Sequence, residues 1–189
     1  VEGNVNGFVY ASKQGSVTDN VDLMYKNVKA SKNMFALSSF TQGTLSNIAF
    51  YGDIYLNPGA NFTMIDQGVI DSSVKNIVAS MRVRYGNYDE TTGSYTDLAS
   101  FGRAYCFEYL AEGAGVVENY YYRGDETDPP IRSKDDSRTA ADEFIAFQPT
   151  ASEDVLNGIV TELNTAEADV WTLAEVEEDG VKIKIPRLK

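Results

Sequence analysis

The chain has 189 residues, 43% of them hydrophobic and 12% aromatic, with 28 acidic against 16 basic side chains and a formal net charge of −12. That length suits one domain with a real core rather than two, and the apolar content excludes wholesale disorder. The charge argues against nucleic acid or an anionic membrane as a partner, since both need a positive field, and the absence of histidine removes Ser-His-Asp and Cys-His catalysis, H-E-x-x-H zinc proteases and His-ligated metals.

In chain order, the run Phe8-Val9-Tyr10 after Val5 predicts a first strand, and the alternation of Val21, Leu23 and Tyr25 a second. Met34 to Phe40 is a short apolar segment. Between Q-G-T and N-P-G, residues Ile48, Phe50, Ile54 and Leu56 alternate with Ala49, Tyr51, Asp53 and Tyr55, the pattern of a half-buried strand. NFTMIDQGVI reads as a strand interrupted at Gly68. In KNIVASMRVRYGNY, Ile77, Ala79, Met81, Val83 and Tyr85 share one face and Val78, Ser80, Arg82 and Arg84 the other. A slip of one residue would put two arginines in the core, so the register is well specified.

DETTGSYTD is expected to turn the chain and FGRAYCFEYL to return it as a hairpin. VVENYYY is a further strand. Residues 124–149 are polar over most of their length, carry Pro129-Pro130, and read as a surface excursion. Residues 150–164 read as the one long helix, with Thr150 and Glu153 as a capping box and Val155, Leu156, Ile159, Val160 and Leu163 as an apolar stripe. At the C-terminus, a type I′ turn at Asp179-Gly180 would set Val176 opposite Ile183 and Ala174 opposite Ile185, and pair Glu177 with Lys182 and Glu175 with Lys184. A helix through residues 166–178 competes with that hairpin on propensity alone. No internal repeat stands out. No run of about 18 apolar residues exists, so no segment is predicted to span a bilayer. An opening at Val1 without methionine fits a trimmed chain or a mature product whose signal peptide has been removed.

Little in this pattern points to catalysis. Cys106 is the sole cysteine, set in a strand-like run, and reads as a buried thiol. Asp89, Glu90 and Asp97 form one acidic cluster, and Asp125, Glu126, Asp128, Asp135 and Asp136 another. Neither has the spacing of an EF-hand, and solvated loop charge is the simpler reading beside a calcium site. Tyr120, Tyr121 and Tyr122 read as strand packing rather than a binding platform. Asn61-Phe62-Thr63 matches the glycosylation sequon, which has meaning only in a eukaryotic secretory host.

FTQGTL at residues 40–45, followed by YLNPGANF at 55–62, resembles the TasA/camelysin family of secreted bacterial matrix-fibre proteins, whose mature chains carry an F-x-x-G-T-L segment and then an L-x-P-G turn. SSVKNIVASMRVRYGNY and DLASFGRAYCFEYL are similar to the family's next two strands, so the likeness covers roughly residues 40–110. It implies an all-β, jelly-roll-like β-sandwich, here with a loop excursion and one amphipathic helix. It also implies export from the cell and assembly into fibres, an architecture shared with archaeal bundling pilins. The stretch ahead of Phe40 is longer than in the fibre-forming bacterial members. The metalloprotease activity described for camelysin does not carry over to a chain without histidine.

The expectation is therefore one domain over residues 1–189, not an enzyme and without cofactor or metal. It would be a secreted, extracellular homopolymer whose partner is itself. The edge problem of open sheets makes the N-terminal segment, residues 1–12, the strand to be exchanged between subunits, with Val5, Phe8, Val9 and Tyr10 at the interface. The alternative is a monomeric β-sandwich module that binds a glycan or another surface.

Overall fold

The computed structural model describes residues 5–10, 16–30, 34–38, 43–57, 62–65, 73–89, 91–92, 94–102, 104–110, 116–124, 131–134, 144–166 and 169–189. These are largely β, with one helix. Eleven strands come first: β1 (Val5–Tyr10), β2 (Ser16–Ala30), β3 (Met34–Ser38), β4 (Gly43–Leu56), β5 (Phe62–Ile65), β6 (Ser73–Asp89), β7 (Ser94–Gly102), β8 (Ala104–Leu110), β9 (Val116–Arg123), β10 (Ile131–Lys134) and β11 (Phe144–Phe147). The helix α1 (Glu153–Ala166) follows, then β12 (Trp171–Glu178) and β13 (Val181–Leu188). Among the described residues no helix is long and apolar enough to cross a membrane.

Two sheets take the first eleven strands in turn. Sheet A runs β1-β3-β5-β8-β10, and sheet B runs β11-β9-β6-β4-β2 with β7 added alongside β6. Both are parallel along their whole described order, and β7 pairs antiparallel with β6. Each pass from A to B therefore lays one strand on each sheet, the winding of a β-solenoid. A jelly roll is built from antiparallel strands, so the sandwich implied by the resemblance differs from this register. The alternation in β4 and β6 sets which side chains go inward; it carries no information on strand direction.

Sheet B is covered on both faces. Ile48 pairs with Ile77, Ile77 with Tyr120 and Tyr120 with Phe144, a buried row across four strands turned into the coil. The Tyr120 and Phe144 rings meet at 5.2 Å between centroids. Phe50, Ile54, Leu56, Ala79 and Met81 extend this face, as the sequence predicts, whereas Tyr85 is only half-buried. Gly52 lies opposite Met81 and has φ 109°, so the bulky side chain faces a position where glycine supplies both space and backbone freedom. The other face is buried too: Ala49, Val78, Tyr121 and Phe147 pack against Leu156, Ile159 and Leu163 of α1 and against Trp171. Tyr120, Tyr121 and Tyr122 are all buried, packed between these layers.

Three local expectations change. The return strand after the 89–92 turn is β7, with Tyr88 opposite Tyr95, while residues 104–110 cross to sheet A. The stretch 124–149 holds β10 and β11, and Phe144 and Phe147 are buried, so an excursion describes only part of it. The α1 cap is Ser152 rather than Thr150: the Val155 amide donates to Ser152 Oγ at 3.4 Å and the Leu156 amide to the Ser152 carbonyl at 3.2 Å. A turn closed by the Ala151 amide on the Gln148 carbonyl at 2.9 Å takes Thr150 out of the cap position.

Candidate functional site

The surface that stands out is built from the coil outward. Asn47, Asn76 and Asn119 open the buried parts of β4, β6 and β9 and adopt left-handed backbone, with φ 49°, 53° and 52°. Asparagine tolerates that region better than other non-glycine residues. Its amide then bonds along the stack, Asn76 Nδ2 donating to Asn47 Oδ1 at 3.2 Å and Asn119 Nδ2 to Asn76 Oδ1 at 3.0 Å. Asn20 continues the register, since Asp19 and Val21 on β2 pair with Ser46 and Ile48. D-N-V, S-N-I, K-N-I and E-N-Y are thus an internal repeat.

This ladder anchors the C-terminal elements. Trp171 Nε1 donates to Asn47 Oδ1 at 3.0 Å. Asn164 near the end of α1 holds the first residue of β12 from both sides, its Nδ2 donating to the Trp171 carbonyl at 3.0 Å and its Oδ1 accepting the Trp171 amide at 2.8 Å. Helix and hairpin are therefore fixed to one another and to the coil. The hairpin has the expected register, Val176 opposite Ile183 and Ala174 opposite Ile185, with Asp179 at φ 51° and Gly180 at φ 78° as a type I′ turn requires. Its lysines reach elsewhere than directly across: Lys182 to Glu175 at 2.6 Å, and Lys184 to Glu153 in the first turn of α1 at 2.7 Å.

Charges pin the hairpin tip to sheet B. Arg82 forks onto Asp53, with Nε to Oδ1 at 2.5 Å and Nη2 to Oδ2 at 2.6 Å, and turns Nη1 to Asp179 at 2.8 Å. Arg84 reaches Asp179 at 2.5 Å, and Arg123 reaches both oxygens of Glu178 at 2.8 Å. Burial alone would lower the Arg82 guanidinium pKa; the hydrogen bonds to Asp53 and Asp179 outweigh it and raise it. The same bonds from Arg82 and Arg84 hold the Asp179 carboxyl below its ordinary value. Arg187 stacks over Tyr51 at 3.9 Å from the ring centroid, fixing β13 on the same face.

At the edge of this packing an open groove of about 580 Å³ runs between α1 and β11. Its floor is Tyr121, Ile145 and Phe147, and its helical wall is Val155, Gly158 and Glu162. Ile145 and Val155 are 40% and 55% exposed, conspicuous for large apolar side chains beside a sheet edge. The Tyr121 hydroxyl donates to Glu162 Oε2 at 2.6 Å, and burial together with that carboxylate pushes the phenol well above its ordinary pKa. β11 is the last strand of sheet B, so its far side pairs with no described strand. Sequence reasoning placed Val155 in the buried stripe. The recurrence of Val155, Gly158 and Glu162 along one flank of the helix is the signal for a second, uncovered face.

The residues predicted for strand exchange lie at the opposite end of the stack. β1 pairs with β3, Val5 opposite Met34, Val9 opposite Leu37 and Tyr10 opposite Ser38, with a register shift in the interval that contains Phe8. The N-terminal strand thus has a partner in its own sheet and forms its edge. Of the acidic clusters, Asp89 accepts hydrogen bonds from the Thr91 amide at 2.8 Å and Thr92 Oγ1 at 2.9 Å, which hold its carboxyl below the usual range. Glu90, Asp125, Glu126, Asp128, Asp135, Asp136 and Asn61 lie outside the described residues, as do the side chains of Asp97 and Cys106. Among the described residues no three metal-ligating side chains gather. Comparison with family models, curated proteins and solved structures finds no match to the chain.

Proposed function

We propose that this chain is a structural subunit of an extracellular filament or matrix fibre, without catalytic activity, that polymerises by strand addition between copies. The observation that carries this reading is that, among the described residues, the stack ends in parallel edge strands with no further strand beside them, β1 and β2 at one end and β10 and β11 at the other. Such edges display unpaired N–H and C=O groups that invite another strand unless they are covered, and solenoids need capping to stay soluble and single. The likeness of residues 40–110 to secreted fibre proteins supports the same reading and the extracellular location. Strand addition does not depend on the antiparallel jelly roll, nor on β1 leaving its sheet; edges that stay in place can join. Negative-stain electron microscopy across a concentration series is the test. Filaments that lengthen with concentration are expected, and a chain that stays monomeric at millimolar concentration would refute the proposal.

A second reading draws on the groove. Tyr121, Glu162 and Gln148 set polar groups among apolar walls, the composition of a site for a glycan or another surface. A monomer that binds oligosaccharide with saturable affinity would favour it.

A further inference from the structure

We infer that the groove between α1 and β11, with the β11 edge beneath it, receives the first coil of a second copy of this chain, β2 extending sheet B and β1 extending sheet A in the same parallel sense. This rests on the assembly reading above and names its contact surface.

Three observations converge on that occupant. The first is direction. All described neighbours along the orders of sheets A and B are parallel, so a copy translated along the stack brings β2 to β11 in the sense in which β2 already meets β4. The reversed orientation would set strand against strand antiparallel and break the stacking of coils. The second is the roof. Leu156, Ile159 and Leu163 of α1 pack on the sheet, while Val155, Gly158 and Glu162 line the groove on the edge side. The next strand of sheet B would lie beside Ile145 under that wall, and its arrival would cover the exposed Ile145 and Val155. A Cβ placed at Gly158 meets nothing within 4 Å, so the helical wall is open at this position.

The third is charge. Residues 1–40, which supply β1 to β3, hold four lysines against three acids, whereas residues 116–169, which supply β9 to β11 and α1, hold thirteen acids against four basic residues. In a chain of net charge −12, a head-to-tail contact joins strands from the least acidic segment of the sequence to strands from the most acidic one. A tail-to-tail contact would press acid on acid, which costs association. The charge pattern therefore selects the same polarity as the strand direction.

Gly158→Phe tests this directly, because the ring fills the groove from a position with open space around it, and Gly158→Ala controls for the backbone change. Sedimentation velocity over a concentration series should find wild type and Gly158→Ala assembling, with the threshold for Gly158→Phe raised about tenfold or more. Ile145→Glu, which places a charge on the edge strand, should act in the same direction while circular dichroism stays that of the parent. If wild type assembles and both blocking variants assemble alike, this contact is wrong and the filament reading stands. If wild type never assembles, both fall. A monomer that holds an oligosaccharide in the groove, released by Gly158→Phe, would overturn the contact in favour of ligand binding.

Discussion

Asparagine at positions 47, 76 and 119 does two things that no other residue does together: it accepts left-handed backbone, and it carries a donor and an acceptor along the stack. Asn76→Ala removes both, forcing Ala into the left-handed region and breaking both amide bonds that Asn76 makes in the ladder, a loss of about 3 kcal/mol. Asn76→Gly restores the backbone but not the ladder and should cost clearly less. Denaturant midpoints that fall equally for the two would show that backbone conformation contributes nothing here. The ladder was present in the sequence as a recurring Asn before an apolar pair. It was hard to see because Asn47 and Asn76 stand 29 residues apart but Asn76 and Asn119 stand 43 apart. The β6–β7 extension stretches one coil and breaks the period. Asp179 allows a residue-scale test by pH. Its folded-state pKa is depressed by Arg82 and Arg84, so its contribution is present above its ordinary value of 3.8 and lost as pH falls through the lower folded one. Asp179→Asn keeps a residue that tolerates positive φ and should cost at most about 1 kcal/mol near neutral pH, because the carboxylate is largely exposed. The difference from wild type should shrink as pH falls below 3.8 and vanish at the pH where the folded-state carboxyl is fully protonated. A difference that persists unchanged at that pH would mean the carboxylate's charge is not what the arginines recognise.

The elements differ in how much of each could be read. The β12–β13 hairpin was legible in its turn and register, though not in its ion pairs, because the register is decided locally, by Asp179-Gly180 and by cross-strand pairs a few residues apart. The helix was legible as a stripe, but its cap moved to Ser152 and Val155 turned out of the core, since the stripe is only as wide as the sheet beneath it. The strands were legible as alternation, while partner and direction were not. Parallel neighbours are joined through the other sheet and leave no turn signal between them. Trp171 is where these elements meet, and Trp171→Phe probes the junction: it keeps an aromatic ring, deletes the bond to Asn47 and leaves a gap beside Leu163, for about 2 kcal/mol. Near-ultraviolet circular dichroism and the denaturant midpoint should change together. An unchanged midpoint would mean that the hairpin is not anchored through this indole.

At the scale of the whole molecule, the proposed repeat by translation draws on a parallel coil, an apolar groove beside one edge strand and a charge asymmetry along the chain. Stacked copies would carry their strands across the filament axis and their hydrogen bonds along it. X-ray diffraction from oriented filaments reads that arrangement without any mutation. A meridional reflection near 4.7–4.8 Å, the spacing of hydrogen-bonded strands along the axis, is the expected result. Filaments with that spacing on the equator, or with none on the meridian, would mean that subunits join by some route other than continuing their sheets.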